Sequence, residues 1–420
     1  MNRRWFVKTV GVSAATGMAL HAQRPGGSTP LPPAIAALKN RRSEAKPITD
    51  AERTQRMERA RELMRANKLD AICLAGGANL LYFTGVRWGN SERLFMAVLP
   101  QKGRMFWVSP AFEEGRAREL MTDKDARIYT WQEDDNPYAL VGRGLRDTGL
   151  ATGRLGVDER TVFVFSDNIR QTNGALETAS ATPVTSGCRA RKSPSELALM
   201  TLANNITLDA YEAAWKSVRE GMTNRELSAM IVSGFEQQGY NGNVSVQTGE
   251  FAALPHGSVK PQQIREGSVV MMDDGVSVEG YVADVTRTVA MGKPAEKVKQ
   301  VFDIVLRAQS AALGAAKPGT ACESVDLAAR KVVEDAGYGP GYKYFTHRLG
   351  HGIGMEGHEW PYLVKGNKLV LETSMTFSDE PGIYIPGEFG VRLEDCMRIT
   401  ADGAETFTPR CRSLETPFAR

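Results

Sequence analysis

The chain has 420 residues, 42% hydrophobic and 24% charged, with a formal net charge of +3. That is ordinary globular composition, and the length implies two or three domains. The small net charge argues against a nucleic-acid or polyanion partner, and five scattered cysteines without CxxC spacing exclude a thiolate zinc cage and a disulfide framework.

Residues 1–22 run MNRRWFVKTVGVSAATGMALHA. A basic start, a weakly apolar run and a small-residue end make the layout of an export signal, too short for a stable membrane span. Arg3-Arg4-Trp5-Phe6-Val7-Lys8 resembles the twin-arginine export motif. An exported, periplasmic or otherwise extracytoplasmic protein that uses the twin-arginine machinery is therefore expected. That route carries folded proteins, which suits cysteines kept reduced during folding.

Residues 23–48 are rich in Pro, Gly, Ser, Lys and Arg and read as a linker or extended arm. Thr49-Asp50-Ala51-Glu52 is a capping box that opens a charged helix to about Lys68. DAICLAG, LFMAVLP, MFWVSP, ARIYTW and RLGVDE read as strands, with helix-like EEGRARELMT among them. The alternation predicts a separate α/β domain over residues 49–190. Ser193-Pro194-Ser195-Glu196 is a second capping box with Pro at the first helical position, and it opens a long helix through Trp215. The boundary is placed near Arg191.

Beyond it lies a weak internal repeat. GMTNRELSAMIVSGFEQQGY begins at Gly221 and GTACESVDLAARKVVEDAGY at Gly319. Each helix-like stretch is followed by a His-bearing segment and then by a pair of acids. The expectation is two similar α+β units facing each other, one supplying an Asp pair and the other a Glu pair.

Those pairs carry the chemistry. Asp273 (VVMMDDG) and Asp284 (GYVADVTRT) flank a strand, a Gly-containing turn and a strand. Glu380 (FSDEPGIYIP) and Glu394 (GVRLED) flank another such unit. Four carboxylates in a small space require cations. With His351 of HRLGHGIG they form an oxygen-rich set with one nitrogen, suited to Mn, Co, Fe or Zn. Two divalent ions held close together can polarise a carbonyl and activate a bridging water to break an amide. Asp274 is expected to point to the other face of its strand and is given no ligand role. His347, His351 and His358 crowd one Gly-rich segment, THRLGHGIGMEGHEWP, and His256 lies in ALPHGS. Histidines that are not ligands can hold a substrate carbonyl or pass a proton to the leaving nitrogen.

From about residue 191 to 410 these motifs resemble the M24 metallopeptidases: creatinase, prolidase, aminopeptidase P and methionine aminopeptidase. All five ligand positions hold the family's residue type at the family's spacing. The resemblance implies an α+β pita-bread domain with internal pseudo-twofold symmetry. It implies Asp273 and Glu394 bridging two ions, Asp284 on one, and His351 with Glu380 on the other. Manganese or cobalt leads, with zinc or iron as alternatives. Glu380 would do acid–base work on the bridging water or hydroxide. His256 and His358 would contact substrate, and His347 matches a further histidine of the prolidase and aminopeptidase P branch. Arg392 would support the carboxylates from behind, with Tyr384 as a neighbour.

Residues 49–190, notably NLLYFTGVRWGNSERLFMAVLP, resemble the creatinase-type N-terminal domain. Methionine aminopeptidases lack it, so the resemblance implies Xaa-Pro cleavage and a homodimer, with Trp88 and Arg93 in a loop able to close the site. Some prolidases hold a dipeptide's carboxylate with an Arg just after the HEWP-like segment. Here that position is Tyr362, which leaves room for longer peptides with proline second. Two other readings are a non-peptidase relative on the same fold (a metal-dependent lyase or another C–N hydrolase) and a non-catalytic binding protein.

Overall fold

The computed structural model describes residues 30–418. The expected export signal lies outside them. Where described, the Pro-rich arm is no free tether. Ile35 and Ile48 are buried in the core of the second half of the molecule, and Arg41 pairs with Asp209 at 3.1 Å.

The first half is one mixed sheet. Its strands are β1 (Ala71–Ala75), β2 (Met96–Pro100), β3 (Phe106–Pro110), β4 (Arg127–Trp131), β5 (Gly153–Val157) and β6 (Leu176–Ser180), in the order β4-β3-β2-β1-β5-β6. Strand β1 is buried throughout because the sheet has a core on each face. Ile72 and Leu74 enter one core, and Ala71, Cys73 and Ala75 the other. The helix Asp50–Ala66 starts at the expected capping box, with Thr49 and Glu52 serving each other's backbone.

The second half has two related units. In the first, the helix Pro194–Trp215, opened by the Ser193/Glu196 capping box, packs on Asn224–Gln237. Their strands are β7 (Ser245–Thr248), β8 (Val269–Asp273), the small hairpin β9 (Ser277–Val278) and β10 (Tyr281–Val282), and β11 (Arg287–Ala290). In the second, the helices Glu296–Ala315 and Cys322–Val333 pack together. Their strands are β12 (Gly350–Gly352), β13 (Glu359–Leu363), β14 (Thr376–Asp379), the hairpin β15 (Gly382–Ile385) and β16 (Phe389–Arg392), β17 (Asp395–Ile399) and β18 (Ala404–Thr406). Each unit has its own apolar core. Strand β8 pairs antiparallel with β11, and β14 with β17, each across a short hairpin. The weak repeat in the sequence is this structural one.

Two buried ion clusters fasten the halves together. Arg56, from the first helix, reaches Tyr281 Oη at 2.9 Å and Glu196 at 3.4 Å. Arg189 bonds Asn79, Glu356 and Glu359, while Lys192 Nζ donates to Glu359 at 3.1 Å.

Candidate metal centre and active site

The strand ends bring the four acids together. Asp273 ends β8 and Asp284 precedes β11; Glu380 follows β14 and Glu394 precedes β17. The register pairs Asp379 with Asp395 and Met272 with Arg287. One step beyond, Glu380 stands opposite Glu394, and Asp273 stands opposite Thr286 rather than Asp284. His351 enters from β12, buried. Its strand lies close to β14 because position 350 is glycine; a Cβ there would sit 2.1 Å from the Ser378 carbonyl oxygen.

Carboxylate oxygens of Asp273, Asp284 and Glu394 lie within 4.8 Å of one another, as do ligand atoms of His351, Glu380 and Glu394. Glu394 is common to both groups. All five residues line one cavity of about 490 Å³, together with His256, His347, His358, Arg348 and Arg392.

Local observations fit this set to a pair of cations. Glu394 Oε1 is buried without a hydrogen-bond partner. His351 Nδ1 lies 3.1 Å from the Gly352 carbonyl, so it carries the ring proton. The Nε2 lone pair then faces Glu380 Oε1 at 3.1 Å and Asp284 Oδ2 at 3.8 Å. A lone pair aimed at carboxylate oxygens is repelled unless a cation stands between. Burial, and then the neighbouring carboxylates, push Asp284 and Glu394 well above the usual carboxyl range.

Arg392 holds the cluster from behind. Buried, it donates to Asp273 Oδ2, to Thr286 Oγ1 at 3.0 Å, to the Pro255 carbonyl at 3.0 Å and to Tyr384 Oη at 3.1 Å. Thr286 was not singled out from sequence. Its hydroxyl lies 2.7 Å from both Asp273 Oδ1 and Glu394 Oε2.

The histidines divide. His256 is exposed on the cavity wall. His358 packs its ring 3.9 Å from that of His351 and accepts from Arg348 Nη2 at Nδ1, 3.1 Å away. Arginine only donates, so the neutral His358 ring carries its proton at Nε2. Burial, with His351 and Arg348 nearby, lowers it to about 4. His347 also lines the cavity. Its Nδ1 lies 2.7 Å from the Arg348 carbonyl and must donate, so Nε2 accepts from Tyr384 Oη at 2.8 Å. Both nitrogens are spent on protein, and burial keeps the ring neutral. His347 thus braces Tyr384, whose hydroxyl in turn accepts from Arg392.

Two further placements differ from expectation, those of Tyr362 and Asp274. Tyr362 does not line the catalytic cavity. It lines an adjoining cleft between the halves, and the Arg348 guanidinium stacks on its ring at 4.1 Å. Trp88 stacks on Phe95 with ring centroids 3.8 Å apart, and Arg93 pairs with Glu92 and Glu133. Neither lines the cavity. Asp274 does line it. Strand alternation fails there because β8 ends at Asp273 and Asp274 takes φ +95°, rare for a residue with a Cβ.

Comparison with known proteins agrees with this geometry. Residues 56–191 match the creatinase/prolidase N-terminal domain, and residues 198–401 match metallopeptidase family M24. The chain is 36% identical over 375 residues to an uncharacterised peptidase of Schizosaccharomyces pombe, covering 84% of this chain and 81% of that one. It is 32% identical over 367 residues to a Xaa-Pro dipeptidase of Lactobacillus delbrueckii, covering 86% and 98%. The crystal structure of dipeptidase PepE from Mycobacterium ulcerans superposes with a TM-score of 0.82 at 32% identity, covering 88% of this chain and 99% of that one. The chain belongs to metallopeptidase family M24, a pita-bread catalytic domain behind a creatinase/prolidase N-terminal domain.

Proposed function

We propose that the protein is a dinuclear metallo-exopeptidase that hydrolyses the bond between an N-terminal residue and proline. One observation carries this reading. Four carboxylates and one imidazole converge on a single cavity, with the orphaned Glu394 oxygen at the point their two groups share. Prolidase and Xaa-Pro dipeptidase relatives supply the substrate class. The bond before proline is a tertiary amide without N–H.

Asp273, Asp284, His351, Glu380 and Glu394 would hold the two ions, and Glu394 is the residue common to both groups of ligand atoms. The oxygen-rich set with one imidazole suits manganese or cobalt. When bound, the pair supplies Lewis acidity to the substrate carbonyl and lowers the pKa of the attacking water. Glu380, held by the Ser378 hydroxyl at 3.1 Å, would take the water proton and return it to the proline nitrogen as the bond breaks. The Nε2–H of His358 is the donor for the carbonyl oxygen as it gains charge. His256, on the opposite chain segment, contacts the substrate from the cavity wall.

The test is hydrolysis of Xaa-Pro dipeptides and longer Xaa-Pro peptides by protein loaded with manganese or cobalt. Glu380→Ala serves as control. No cleavage of either class by the loaded wild type would overturn the proposal. We further propose twin-arginine export to the periplasm, supported by Arg3-Arg4 in the leader. Fractionation of cells carrying Arg3→Lys/Arg4→Lys tests it. The family resemblance supports a homodimer, which sedimentation of the purified protein checks.

A further inference from the structure

His256 meets the cavity on a loop that the core does not hold. Leu254, His256, Val259 and Lys260 are exposed. Among the described residues no hydrogen bond holds the His256 ring. The ring therefore goes where its backbone is put.

Two side chains clamp that backbone, one on each side of His256. Arg392 Nη1 donates to the Pro255 carbonyl at 3.0 Å. Gln247 Oε1 accepts from the Ser258 N–H at 2.9 Å. Among the described residues, the other hydrogen bonds of residues 254–260 stay within residues 251–260. Arg392 is tied to the acids of the site. Gln247 is not; it is buried and does not line the cavity.

Gln247 lies on β7, two residues from Ser245 and on the same face of the strand. Ser245 stands opposite Asp273 and lines the cavity. The Gln247 amide fits only one way round. A backbone N–H always donates, so Oε1 faces Ser258 and Nε2 donates to Ser245 Oγ at 3.2 Å. Gln262 is fixed by the same logic. Its Oε1 accepts from the Thr248 N–H at 2.8 Å, so its Nε2 donates to Gln247 Oε1 at 2.7 Å. Gln262 is buried too, and its carbonyl accepts from the Asn224 N–H at 3.3 Å. The two glutamines thus join the loop to β7 and to the start of the helix Asn224–Gln237.

Position 257 shows how closely the loop lies on this pair. Gly257 takes φ +81°, and a Cβ there would sit 2.2 Å from Gln247 Nε2. The backbone just after His256 is laid directly on the Gln247 amide.

We propose that Gln247, backed by Gln262, is a positioning residue for His256. It holds the loop after the histidine as Arg392 holds it before, and so sets where the imidazole meets substrate. The proposal rests on the Xaa-Pro reading, in which His256 contacts substrate.

The experiment is a double-mutant cycle on the full-length, metal-loaded protein with Ala-Pro as substrate: wild type, Gln247→Met, His256→Ala and the pair. Methionine keeps the length of glutamine and removes the acceptor. With His256 present, Gln247→Met should lower kcat/KM by roughly tenfold, the worth of one hydrogen bond. In the His256→Ala background the same change should cost less than about twofold, because the group being positioned is gone. Gln247→Glu keeps the acceptor and should retain most of the activity. A second readout needs neither metal nor substrate: exchange of the Ser258 amide hydrogen should quicken by roughly tenfold in Gln247→Met. Equal losses with and without His256 would give Gln247 a general role in the fold and overturn the proposal. An unchanged kcat/KM or an unchanged exchange rate in Gln247→Met overturns it as well. Should Gln247→Met not fold, Gln262→Met removes the second donor to the same oxygen, and the same cycle decides with the same outcomes. A wild type that leaves Ala-Pro intact sinks the Xaa-Pro reading instead, a result separate from the exchange at Ser258.

Discussion

Replacing Glu359 with glutamine tests how the two halves are joined. Glu359 accepts from Lys192, from Arg189, and from the backbone of Met355 at 2.8 Å and Glu356 at 3.1 Å. Glutamine keeps the shape and an acceptor oxygen but removes the charge. Arg189 retains Glu356, whereas buried Lys192 is left with only the Arg189 carbonyl at 2.7 Å. Burial alone would push the Glu359 carboxyl upward. The charges of Lys192 and Arg189 outweigh it, and the carboxyl falls from 4.5 to about 2. At about 1.4 kcal/mol per pH unit, that difference makes ionised Glu359 worth about 3 kcal/mol to the folded state. The figure matches the roughly 3–5 kcal/mol cost of leaving a buried ion without its partner. Because the folded value is depressed, this stability is fully present above 4.5 and is lost as pH falls through about 2. Urea unfolding of wild type and Glu359→Gln at several pH values reads it directly. A gap of about 3 kcal/mol near neutral pH that narrows in acid is expected. A gap under about 1 kcal/mol at neutral pH, or one that widens in acid, would refute the reasoning.

Thr286→Val should weaken metal binding by about 10- to 100-fold in a chelator competition, with Thr286→Ser restoring most of it. Equal affinity in all three would show that the hydroxyl between Asp273 and Glu394 is idle. Removing the ions with a chelator should lower the thermal midpoint, and manganese or cobalt should restore it. Asp284 and Glu394 are raised in the folded state, so the metal-free protein regains stability as pH falls, and the gap to the loaded form should shrink in acid. Identical melting with and without chelator at neutral pH would contradict the fit of the site to cations. Tyr384→Phe removes the hydroxyl that joins Arg392 to His347. A fall in kcat of about tenfold with metal content unchanged is expected, since one charge-assisted hydrogen bond is worth about 1.5–3 kcal/mol. Activity equal to wild type would leave His347 without its assigned work.

The convergence of the four acids and His351 was legible because burying four acids in apolar strand contexts has few physical solutions, and a repeat in the chain assigned the Asp pair to one unit and the Glu pair to the other. Other residues of the site depend on information one sequence does not carry. Thr286 reads as an ordinary β-branched strand residue until the register sets it opposite Asp273. Asp274 was misplaced by strict alternation, which holds only while the backbone stays extended; a single positive φ turns its side chain into the cavity. His347 looked like its neighbours because residue type does not reveal which nitrogen is free. Trp88 and Arg93 sat in a stretch that read as an open loop, and only the ring stack on Phe95 shows one of them as packing. Pairs such as Arg189 with Glu359 lie 170 positions apart, beyond any local pattern.

The fold makes one consequence of this geometry unavoidable. Each half of the pita-bread domain contributes acids that repel those of the other half, so the site opposes its own closure until cations arrive. The protein meets that cost away from the ions, with Arg392 against Asp273 and with Arg287 buried against Asp395 at 2.6 Å directly behind Glu394. Arg287 also donates to the Glu394 carbonyl at 2.9 Å. The strand ends are thus held in register by fixed charges, while Glu394 Oε1 beside the cavity is left without a partner. Supports behind the acids and an orphaned oxygen at the cavity are what a site needs if its shape is to precede its metal. By the same argument, weakening the Arg287–Asp395 pair would distort the ligand geometry before any ligand is touched.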